Sequence, residues 1–319
     1  MSRRGTPAVV FRGARVLVTG GTGHLGSHLV RRLLGLGARV YVLARARSSL
    51  ERIADVTAAV KFLTGDIRSR GDVAGAVAAA EPEFIFHLAA YGVNPRRRTP
   101  STIIETNVIG LANLLDAARP VPYACLLNTG TCFEYGNRRS PITESFPVDP
   151  LNVYAASKTM ALSLCDLDRK RHGKPIVTLR PFTFFGPGEG PDRLIPSVIR
   201  SILAGRPIRI TAGRQTRDYT YVTDMAEAFV SAATEADAVG KVINVGTGHD
   251  RPVREIAQHI RSILRADVPL EVGALRTREN DAWRLCANNT LARTLLGWRP
   301  RVSFPAGVRR TADWLRRAG

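Results

Sequence analysis

The stretch TGGTGHLG, residues 19–26, constrains the fold of this 319-residue chain more than any other feature. It follows an apolar run typical of a strand and leads into a segment whose apolar residues recur at helical spacing. A glycine-rich turn at a helix N-terminus presents free backbone N–H groups and the positive end of the helix dipole, which suit a pyrophosphate. Gly20 is predicted to make the turn, Gly23 to admit the phosphates and Gly26 to let the helix pack. The stretch therefore predicts a dinucleotide site, with His24 and Leu25 among its contacts.

The end of the second predicted strand, residues 39–44, bears on the choice of cofactor. An acidic residue at this place binds the adenosine ribose of NAD, whereas an arginine accommodates the extra phosphate of NADP. The chain has ARAR at residues 44–47 and no carboxylate before Glu51. We therefore predict NADP(H), with Arg45 as the first candidate and Arg47 as the second, and keep NAD as the alternative. The competing interpretation is that both arginines are ordinary solvated charges.

Beyond the first turn, strand and helix patterns alternate, which predicts an α/β fold with a doubly wound parallel sheet of Rossmann type. Apolar and β-branched runs predict strands at 15–18, 39–44, 60–64, 84–90, 125–130, 176–182 and 241–246. The alternation loosens after residue 182. We therefore predict an NADP-binding Rossmann domain over residues 1–182, with a returning segment at about 222–265, and a smaller C-terminal α/β substrate lobe over 183–319. The site is expected between these two parts.

The composition excludes several classes of function. The formal net charge is +19, but 41 of the 46 basic residues are arginine and they are scattered along the chain. No basic stretch is interleaved with aromatic residues, so we predict no nucleic-acid partner, although the run at 96–98 is a candidate for steering a polyanionic substrate. Four cysteines without paired spacing favour reduced thiols and no metal site. No apolar run approaches membrane-spanning length and no signal segment is evident, so a cytoplasmic protein without membrane contact is expected.

The pentapeptide YAASK, residues 154–158, is the strongest catalytic signal. Tyr154 and Lys158 are four residues apart, so they share one face of the helix that is predicted to carry them. A neighbouring ammonium, helped by an oxidised nicotinamide, stabilises a tyrosinate and lowers the pKa of the phenol. A lone YxxxK occurs by chance in many helices. Here it follows a phosphate-binding turn and a strand that ends near the hydroxyl of Thr131, and this combination predicts proton transfer beside a nicotinamide.

With these motifs in place, the chain resembles the extended short-chain dehydrogenase/reductase superfamily, in its nucleotide-sugar epimerase/dehydratase branch, over roughly residues 14–318. Besides the motifs above, the resemblance rests on GDI (65–67), HLAA (87–90), Asn107, LRPFTFFGPG (179–188), QTRD (215–218) and LGW (296–298). It implies that Thr131 hydrogen-bonds the reacting sugar oxygen and that Tyr154 is the acid/base. Lys158 is implied to hold the cofactor ribose and to tune Tyr154.

The same resemblance implies the other contacts of a nucleotide-sugar enzyme. Asp66 also suits the adenine amino group on chemical grounds, and a buried Asn107 must have its amide satisfied, for which a strand backbone is a candidate. Further predicted cofactor contacts are Ile67, Leu88, Ala89, Ala90, Pro181 and Thr183. The predicted contacts of a nucleotide-diphosphate sugar, bound mainly by the C-terminal lobe, are Thr131, Cys132, Arg193, Arg217 and Arg278. The resemblance also implies a homodimer formed through helices at about 101–118 and 152–172.

Departures from the family pattern bear on the reaction. Sugar-nucleotide 4,6-dehydratases carry an Asp-Glu pair just after the hydroxyl residue, and those places are Cys132 and Phe133 here. Phenylalanine cannot move a proton, which disfavours 4,6-dehydration. Glu134 is one place late and points the other way if the local chain is extended. A rearranged loop that recruits Glu134, and Cys132 as a weak acid, remain open alternatives.

The reactions that remain are reduction and epimerisation. Because the Arg45/Arg47 prediction favours NADPH, we predict reduction of the C4 ketone of a nucleotide-linked 4-keto-6-deoxyhexose, as in deoxysugar biosynthesis. Hydride would reach C4 while Tyr154 donates a proton to the ketone oxygen and Thr131 steadies that oxygen. The first alternative is a nucleotide-sugar or uronic acid 4-epimerase with tightly bound NAD. An alternative of another class is a non-catalytic NADP-binding sensor, against which the intact Thr131, Tyr154 and Lys158 set argues.

Overall fold

The computed structural model describes residues 6–93, 99–138, 141–276 and 282–318. The strands are β1 (Arg15–Thr19), β2 (Arg39–Ala44), β3 (Val60–Thr64), β4 (Phe84–His87), β5 (Cys125–Thr129), β6 (Ile176–Pro181), β7 (Thr183–Phe185), β8 (Ile208–Ile210), β9 (Thr216–Tyr221), β10 (Val242–Val245), β11 (Asp250–Pro252), β12 (Leu270–Val272) and β13 (Arg284–Leu285).

The helices of the same ranges flank these strands. They are α1 (Pro7–Phe11), α2 (His24–Gly35), α3 (Arg70–Ala80), α4 (Pro100–Ile104), α5 (Gly110–Ala118), α6 (Val153–His172), α7 (Leu194–Leu203), α8 (Val222–Thr234), α9 (Val253–Ile263), α10 (Thr290–Leu295) and α11 (Phe304–Ala318). A π-helical turn, Glu105–Ile109, joins α4 to α5, and 3₁₀ segments lie at Glu51–Ala59, Cys132–Tyr135 and Ala236–Ala238.

In the described ranges, the central sheet has seven parallel strands in the order β10-β6-β5-β4-β1-β2-β3. From β1 the chain first builds outward through β2 and β3, and then returns to place β4 on the other side of β1. The carboxyl ends of β1 and β4 therefore flank a topological switch point, where ligands bind in folds of this kind. The predicted fold class, an α/β doubly wound parallel sheet of Rossmann type, is confirmed.

Apolar layers cover both faces of this sheet. Along β1, Val16 and Val18 face the layer formed with α2 and α8, whereas Leu17 faces the layer formed with α3, α5 and α6. Successive side chains of a strand point to opposite faces, so a strand buried on both sides must be apolar throughout. This explains why continuous apolar runs located the sheet strands in the sequence.

After residue 182 the elements are shorter and pair differently. Strand β9 pairs with β7, β11 and β13, while β8 pairs with β12, and a separate apolar cluster joins α7, α9 and α11. The predicted returning segment, about 222–265, divides between the two parts. Helix α8 packs on α2 and β10 enters the sheet, but α9 packs with the second group. The division of the chain near residue 182 stays a proposal.

Four other expectations concern the cysteines, a metal site, membrane-spanning helices and the arginine run. The four cysteines are buried free thiols. Within the described residues, no group of three or more His, Cys, Asp or Glu side chains is placed to hold a metal ion. None of the helices in the described ranges has the length and apolar character needed to cross a membrane. The arginine run at 96–98 lies outside the described residues.

Candidate active site

The turn after β1 is closely packed around its glycines. Gly20 has a φ of +74°, and a Cβ atom there would lie 2.6 Å from the backbone nitrogen of Ala89. A Cβ atom on Gly26 would lie 2.1 Å from the carbonyl oxygen of Gly20. Gly23 is the N-cap of α2 and offers no side chain to the first helical N–H groups. Glycine is therefore required at two places, and the third leaves the helix start open to an anion such as a diphosphate.

The segment after β4 lies beside the glycine turn, and the two segments line one crevice. Leu88 N donates to Thr19 O at 3.0 Å, and Ala89 N donates to Thr19 Oγ1 at 3.3 Å. Ala90 follows as an exposed residue. The structure therefore brings these predicted cofactor residues to the glycine turn at the switch point, and the crevice fits the diphosphate of a dinucleotide.

The end of the site that is predicted to bind adenosine carries exposed arginines and one paired carboxylate. Arg45 and Arg47 are exposed in the turn after β2, where no carboxylate occurs. Asp66 is paired with Arg68, whose Nη2 lies 2.8 Å from Asp66 Oδ2, and this hydrogen bonding lowers the pKa of Asp66. Ile67 is buried against Gly110. Asp66 is thus at the predicted edge of the site, but its carboxylate already has a partner.

Asn107 holds two parts of the site together. Its Oδ1 accepts from Tyr91 N at 2.8 Å, and its Nδ2 donates to Tyr91 O at 3.0 Å and to Ser157 Oγ at 2.9 Å. The amide is satisfied by the backbone of the segment after β4 and by α6, close to the predicted arrangement. Asn107 therefore contributes to a cofactor site by holding Tyr91 and Ser157 in place.

Thr131, Tyr154 and Lys158 converge at the carboxyl end of β5. Asn152 caps α6 by accepting from Ala155 N at 3.0 Å, which places Tyr154 in the first turn and Lys158 on the same face. The Thr131 side chain lies near enough to the Tyr154 hydroxyl to favour its ionised form. Lys158 is only 1% exposed. The three side chains that were predicted to carry the chemistry are therefore assembled in one place.

Burial dominates the protonation of this set. It raises the pKa of Tyr154, and the Thr131 side chain opposes that rise. It lowers the pKa of Lys158 to about 8, against the opposing charge of Glu134. The Tyr–Lys spacing predicted a lowered phenol pKa, and the direction in this structure is the reverse because desolvation penalises the phenolate. For the pKa of Tyr154 to fall as predicted, the positive charge of an oxidised nicotinamide must also act on the phenol.

The segment after Thr131 is a 3₁₀ turn, so the condition of an extended chain, under which Glu134 was expected to point the other way, is not met. Thr131 and Glu134 form a capping box, in which Glu134 Oε1 accepts from Thr131 N at 2.7 Å. The other oxygen, Glu134 Oε2, lies 2.9 Å from Arg180 Nε and 2.7 Å from Arg180 Nη2. Both side chains are buried. Glu134 is therefore a fixed, paired carboxylate, and the T-x-x-E spacing is the sequence signal that could have revealed its capping role.

The two family positions of the dehydratase acids are also closed to proton transfer. Cys132 is buried beside Tyr135 and Phe182, and burial raises the pKa of its thiol to about 12. Phe133 packs on the same apolar cluster. Neither residue offers an acid or base that exchanges protons near neutral pH.

The predicted arginines reach this set from the second group of elements. Arg217, on β9, donates to Thr216 O at 2.7 Å and to Ala282 O at 2.8 Å, and its charge lowers the pKa of Cys132. Arg193 caps α7, and its charge acts on Tyr154. Arg278 lies outside the described residues. The structure therefore brings two of the three predicted arginines to the Thr131–Tyr154 end of the crevice.

Residues 186–190, here called the glycine loop, cover the start of α2. His28 Nε2 lies 2.9 Å from Pro187 O, and Arg52 Nε donates to Gly188 O at 2.7 Å. His24 packs against Phe184 with ring centroids 5.4 Å apart, and burial lowers the pKa of His24 to about 3. The loop follows the two remaining predicted residues, the buried Pro181 and the half-buried Thr183. Leu25 faces the core.

Sequence reasoning also missed Glu189 in this loop. Its carboxyl group is buried, and Oε2 has no hydrogen-bond partner in the described part of the chain. The hydrophilic GPGEG stretch gives no local sign that its glutamate is buried.

Comparisons with known proteins agree with this arrangement. Residues 16–246 match the NAD dependent epimerase/dehydratase family. A UDP-glucose 4-epimerase of Mycolicibacterium smegmatis is 33% identical, and the match spans 95% of this chain and 98% of that protein. An epimerase of Methanothermobacter thermautotrophicus superposes with a TM-score of 0.90 at 28% identity, covering 98% of this chain and 94% of the other. A Thermus thermophilus UDP-glucose 4-epimerase complexed with NAD gives 0.85 at 30% identity, covering 96% and 100%.

The family match spans most of the chain and includes the glycine turn, Thr131, Tyr154 and Lys158. The predicted resemblance and the prediction of an enzyme of the oxidoreductase type are both confirmed. The chain belongs to the NAD dependent epimerase/dehydratase family, the extended short-chain dehydrogenase/reductase enzymes that include nucleotide-sugar 4-epimerases.

Proposed function

We propose that the protein is a nucleotide-sugar 4-epimerase that keeps NAD bound through its catalytic cycle. The observation that carries the proposal is the assembled Thr131, Tyr154 and Lys158 set, in which Glu134, the carboxylate whose charge acts on both Tyr154 and Lys158, is paired with Arg180. Relatives named as UDP-glucose 4-epimerases match over nearly the whole chain and support the same reaction class. This proposal replaces reduction, which the sequence favoured, with the first alternative.

The chemistry that this chain must supply is proton transfer at the sugar O4. When bound, NAD supplies reversible hydride exchange with C4. Tyr154 accepts the O4 proton while C4 is oxidised and returns it when C4 is reduced from the opposite face, so there is no net redox change. Thr131, which lies near the Tyr154 hydroxyl, would steady the ketone oxygen.

The charges around the set suit substrate binding through the diphosphate. Arg193 and Arg217 lie on the lobe side of the crevice and bring positive charge toward Tyr154 and Cys132. Anchoring at the diphosphate leaves the 4-keto sugar free to turn between the two hydride transfers. Lys158, buried one helical turn after Tyr154 on α6, would hold the cofactor ribose and support the tyrosinate.

Dehydration would need an acid and a base beside C5 and C6 of the sugar. The local side chains are an apolar Phe133, a thiol whose pKa is raised to about 12, and Glu134, which is paired with Arg180. Because moving the Glu134 carboxylate would leave Arg180 buried and unpaired, its recruitment is strongly disfavoured. The geometry therefore favours chemistry that needs only the tyrosine.

Retention of the cofactor is supported by the glycine loop. An epimerase must return hydride to the sugar that lost it, so its cofactor must stay bound through the cycle. The glycine loop is tied to His28 and to Arg52 across the start of α2. These contacts fix the loop against α2, the helix whose start is the predicted diphosphate site, and a fixed loop there suits a cofactor that is not exchanged in each turnover.

A second candidate is the NADPH-dependent 4-ketoreductase. The observation that favours it is the turn after β2, where Arg45 and Arg47 are exposed and no carboxylate is available for an adenosine ribose. The Thr131, Tyr154 and Lys158 set serves this reaction equally well. Cofactor exchange therefore separates the two candidates.

We further propose a homodimer. Val153, Met160 and Leu167 are exposed on α6 at seven-residue spacing, which places them on one helix face. Ile109, in the π-helical turn before α5, is also exposed. An apolar stripe of this kind suits contact with a second copy.

The test measures turnover by the purified protein without and with added cofactor. UDP-glucose, UDP-glucuronic acid and a dTDP-4-keto-6-deoxyhexose would be supplied, with products separated by chromatography. The 4-epimerase proposal predicts interconversion of C4 epimers without added cofactor and NAD released on denaturation. NADPH oxidation that occurs only with the 4-keto sugar would instead establish the ketoreductase.

The matched variant is Tyr154→Phe, which removes the proton carrier and keeps the ring. We expect kcat to fall about 10²–10⁴-fold. The NAD content should stay the same, because the phenol oxygen is not needed to hold the diphosphate. Turnover at the wild-type rate would contradict the assignment of Tyr154.

A further inference from the structure

Glu189 is a buried acid with one carboxyl oxygen that none of the described residues satisfies. Its side chain is 8% exposed, and Oε2 lacks a hydrogen bond in the described ranges. Leaving such a group unsatisfied destabilises the folded protein. Native proteins rarely leave a buried polar atom unpaired, and the exceptions cluster at functional sites. A partner supplied by a bound ligand accounts for this exception.

The backbone that carries Glu189 is fixed on both sides. Pro187 O is held by His28 Nε2 at 2.9 Å, and Gly188 O accepts from Arg52 Nε at 2.7 Å. Glu189 N itself donates to Gly186 O at 3.2 Å. The carboxyl group is therefore placed by contacts with α2 and with the 3₁₀ segment Glu51–Ala59, and is not left to a free loop.

Two candidate anion sites lie near this position. One is the start of α2, where His24 follows the open N-cap Gly23. The other is Arg193, whose charge acts on Glu189, on His24 and on Tyr154. Arg193 is thus the charged neighbour that Glu189 shares with His24 at the start of α2 and with Tyr154.

We propose that Glu189 binds its ligand as the neutral acid and donates its O–H to a diphosphate oxygen. The inference rests on the proposed function, since the cofactor and the nucleotide sugar both bring a diphosphate. Only the acid form has a proton to donate, and a carboxylate would repel the phosphate. Burial raises the pKa of Glu189 to about 8, against the opposing charge of Arg193, so the acid form predominates at neutral pH.

This chemistry predicts a pH dependence of binding. If only the acid form binds, affinity is constant below pH 8, and at pH 9 about one molecule in eleven is competent, which raises Kd about tenfold. Other groups near the site also carry charge or titrate. They are Arg193 on α7, His24 and His28 on α2, Arg52 on the 3₁₀ segment, and Tyr154 and Lys158 on α6. Because the pKa of Lys158 is also about 8, the test compares variants at each pH.

The experiment uses Glu189→Gln, which keeps a hydrogen-bond donor without an ionisable proton, and Glu189→Ala, which has none. Glu255→Gln, on the exposed face of α9, is the matched control for loss of a carboxylate. One arm measures the NAD lost from the purified protein on dialysis at pH 6.5 and pH 9. The other arm titrates UDP into the same protein by calorimetry at both pH values. Circular dichroism shows whether each variant is folded.

If Glu189 contacts the diphosphate of NAD, wild type and Glu255→Gln should bind NAD about tenfold more weakly at pH 9 than at pH 6.5. If it contacts the diphosphate of the nucleotide sugar, the same tenfold weakening should appear for UDP. Glu189→Gln should bind the same ligand as tightly as wild type at pH 6.5 and should lack the tenfold weakening at pH 9. Glu189→Ala should bind that ligand about tenfold more weakly than wild type at pH 6.5. Loss in the NAD arm alone assigns the cofactor, and loss in the UDP arm alone assigns the nucleotide sugar. If folded Glu189→Gln and Glu189→Ala match wild type in both arms, the inference is wrong. Failure of the proposed function would appear separately, as absence of epimer formation with binding intact.

Discussion

Two turns at the same edge of the sheet build their parts of the site in opposite ways. The turn after β1 is made of backbone, with Gly20 and Gly26 so close that neither position has room for a Cβ atom. The turn after β5 is made of side chains, with Glu134 tied to Thr131 and to Arg180. The first turn leaves N–H groups open to a ligand, and the second uses charge to hold one hydroxyl in place.

The difference determines how each turn fails. A backbone turn tolerates no added atom at its contact points, but it contains no buried charge that a single substitution would leave unpaired. A buried ion pair depends on both partners, because removal of one leaves the other charged and desolvated. The turn after β5 should therefore be the more sensitive to a single substitution and the more readily rescued by a second.

Breaking the Glu134–Arg180 pair should have the largest effect on stability. Both side chains are buried, and Arg180 Nη1 also donates to the Tyr135 hydroxyl at 2.7 Å. Glu134→Leu should lower the free energy of unfolding by about 3–5 kcal/mol, because it leaves the guanidinium without a counter-charge. Urea denaturation followed by circular dichroism measures the change. Removing Asp313 from its exposed pair with Arg316 is the control and should change stability by about 0–1 kcal/mol.

The double variant Glu134→Leu/Arg180→Leu sharpens the comparison. It removes both charges, so most of the loss should be recovered, except for about 1–3 kcal/mol from the unsatisfied Thr131 N–H group. Turnover should stay low in the double variant because Thr131 has lost its anchor. Strictly additive losses in the two single variants would show that the pair is not coupled.

Gly26→Ala should have the next largest effect. Its Cβ atom would lie 2.1 Å from Gly20 O, so the backbone must shift, at a cost of about 1–3 kcal/mol or more. Gly35→Ala, in the same helix, has no heavy atom within 4 Å of the added carbon and should stabilise the protein by about 0.4–1 kcal/mol. Thermal denaturation and NAD content measure both variants. Equal stability of the two would mean that the turn is not as tightly packed as described.

The same contrast explains what the sequence could predict. Residues 39–44 and 60–64 were located as strands with the bounds that β2 and β3 have, because each is a short run dominated by β-branched, aromatic and other apolar residues. The glycine turn could be predicted from the sequence because close backbone contact permits only glycine there. The Glu134–Arg180 pair could not be predicted, because the two residues are 46 positions apart in the sequence. They come into contact only because β5 and β6 are neighbours in the folded sheet. Strands of two or three residues such as β13 and β7 were missed, since tertiary pairing and not local pattern selects them.

A third turn at this edge, after β2, relies neither on glycine contacts nor on buried charge, and it should give the smallest effect. Arg45 is exposed there, and an exposed guanidinium next to a phosphate contributes about 1 kcal/mol, which is roughly five- to tenfold in affinity. Arg45→Ala should therefore weaken NADP binding by that factor and leave NAD binding within about twofold, whichever cofactor the wild type prefers. Arg39→Ala, at the opposite end of β2, is the matched control and should change neither affinity. Calorimetric titration of both dinucleotides decides the point: an equal fall for NAD and NADP would place Arg45 beside a group that the two cofactors share and would remove the structural basis for an NADP preference.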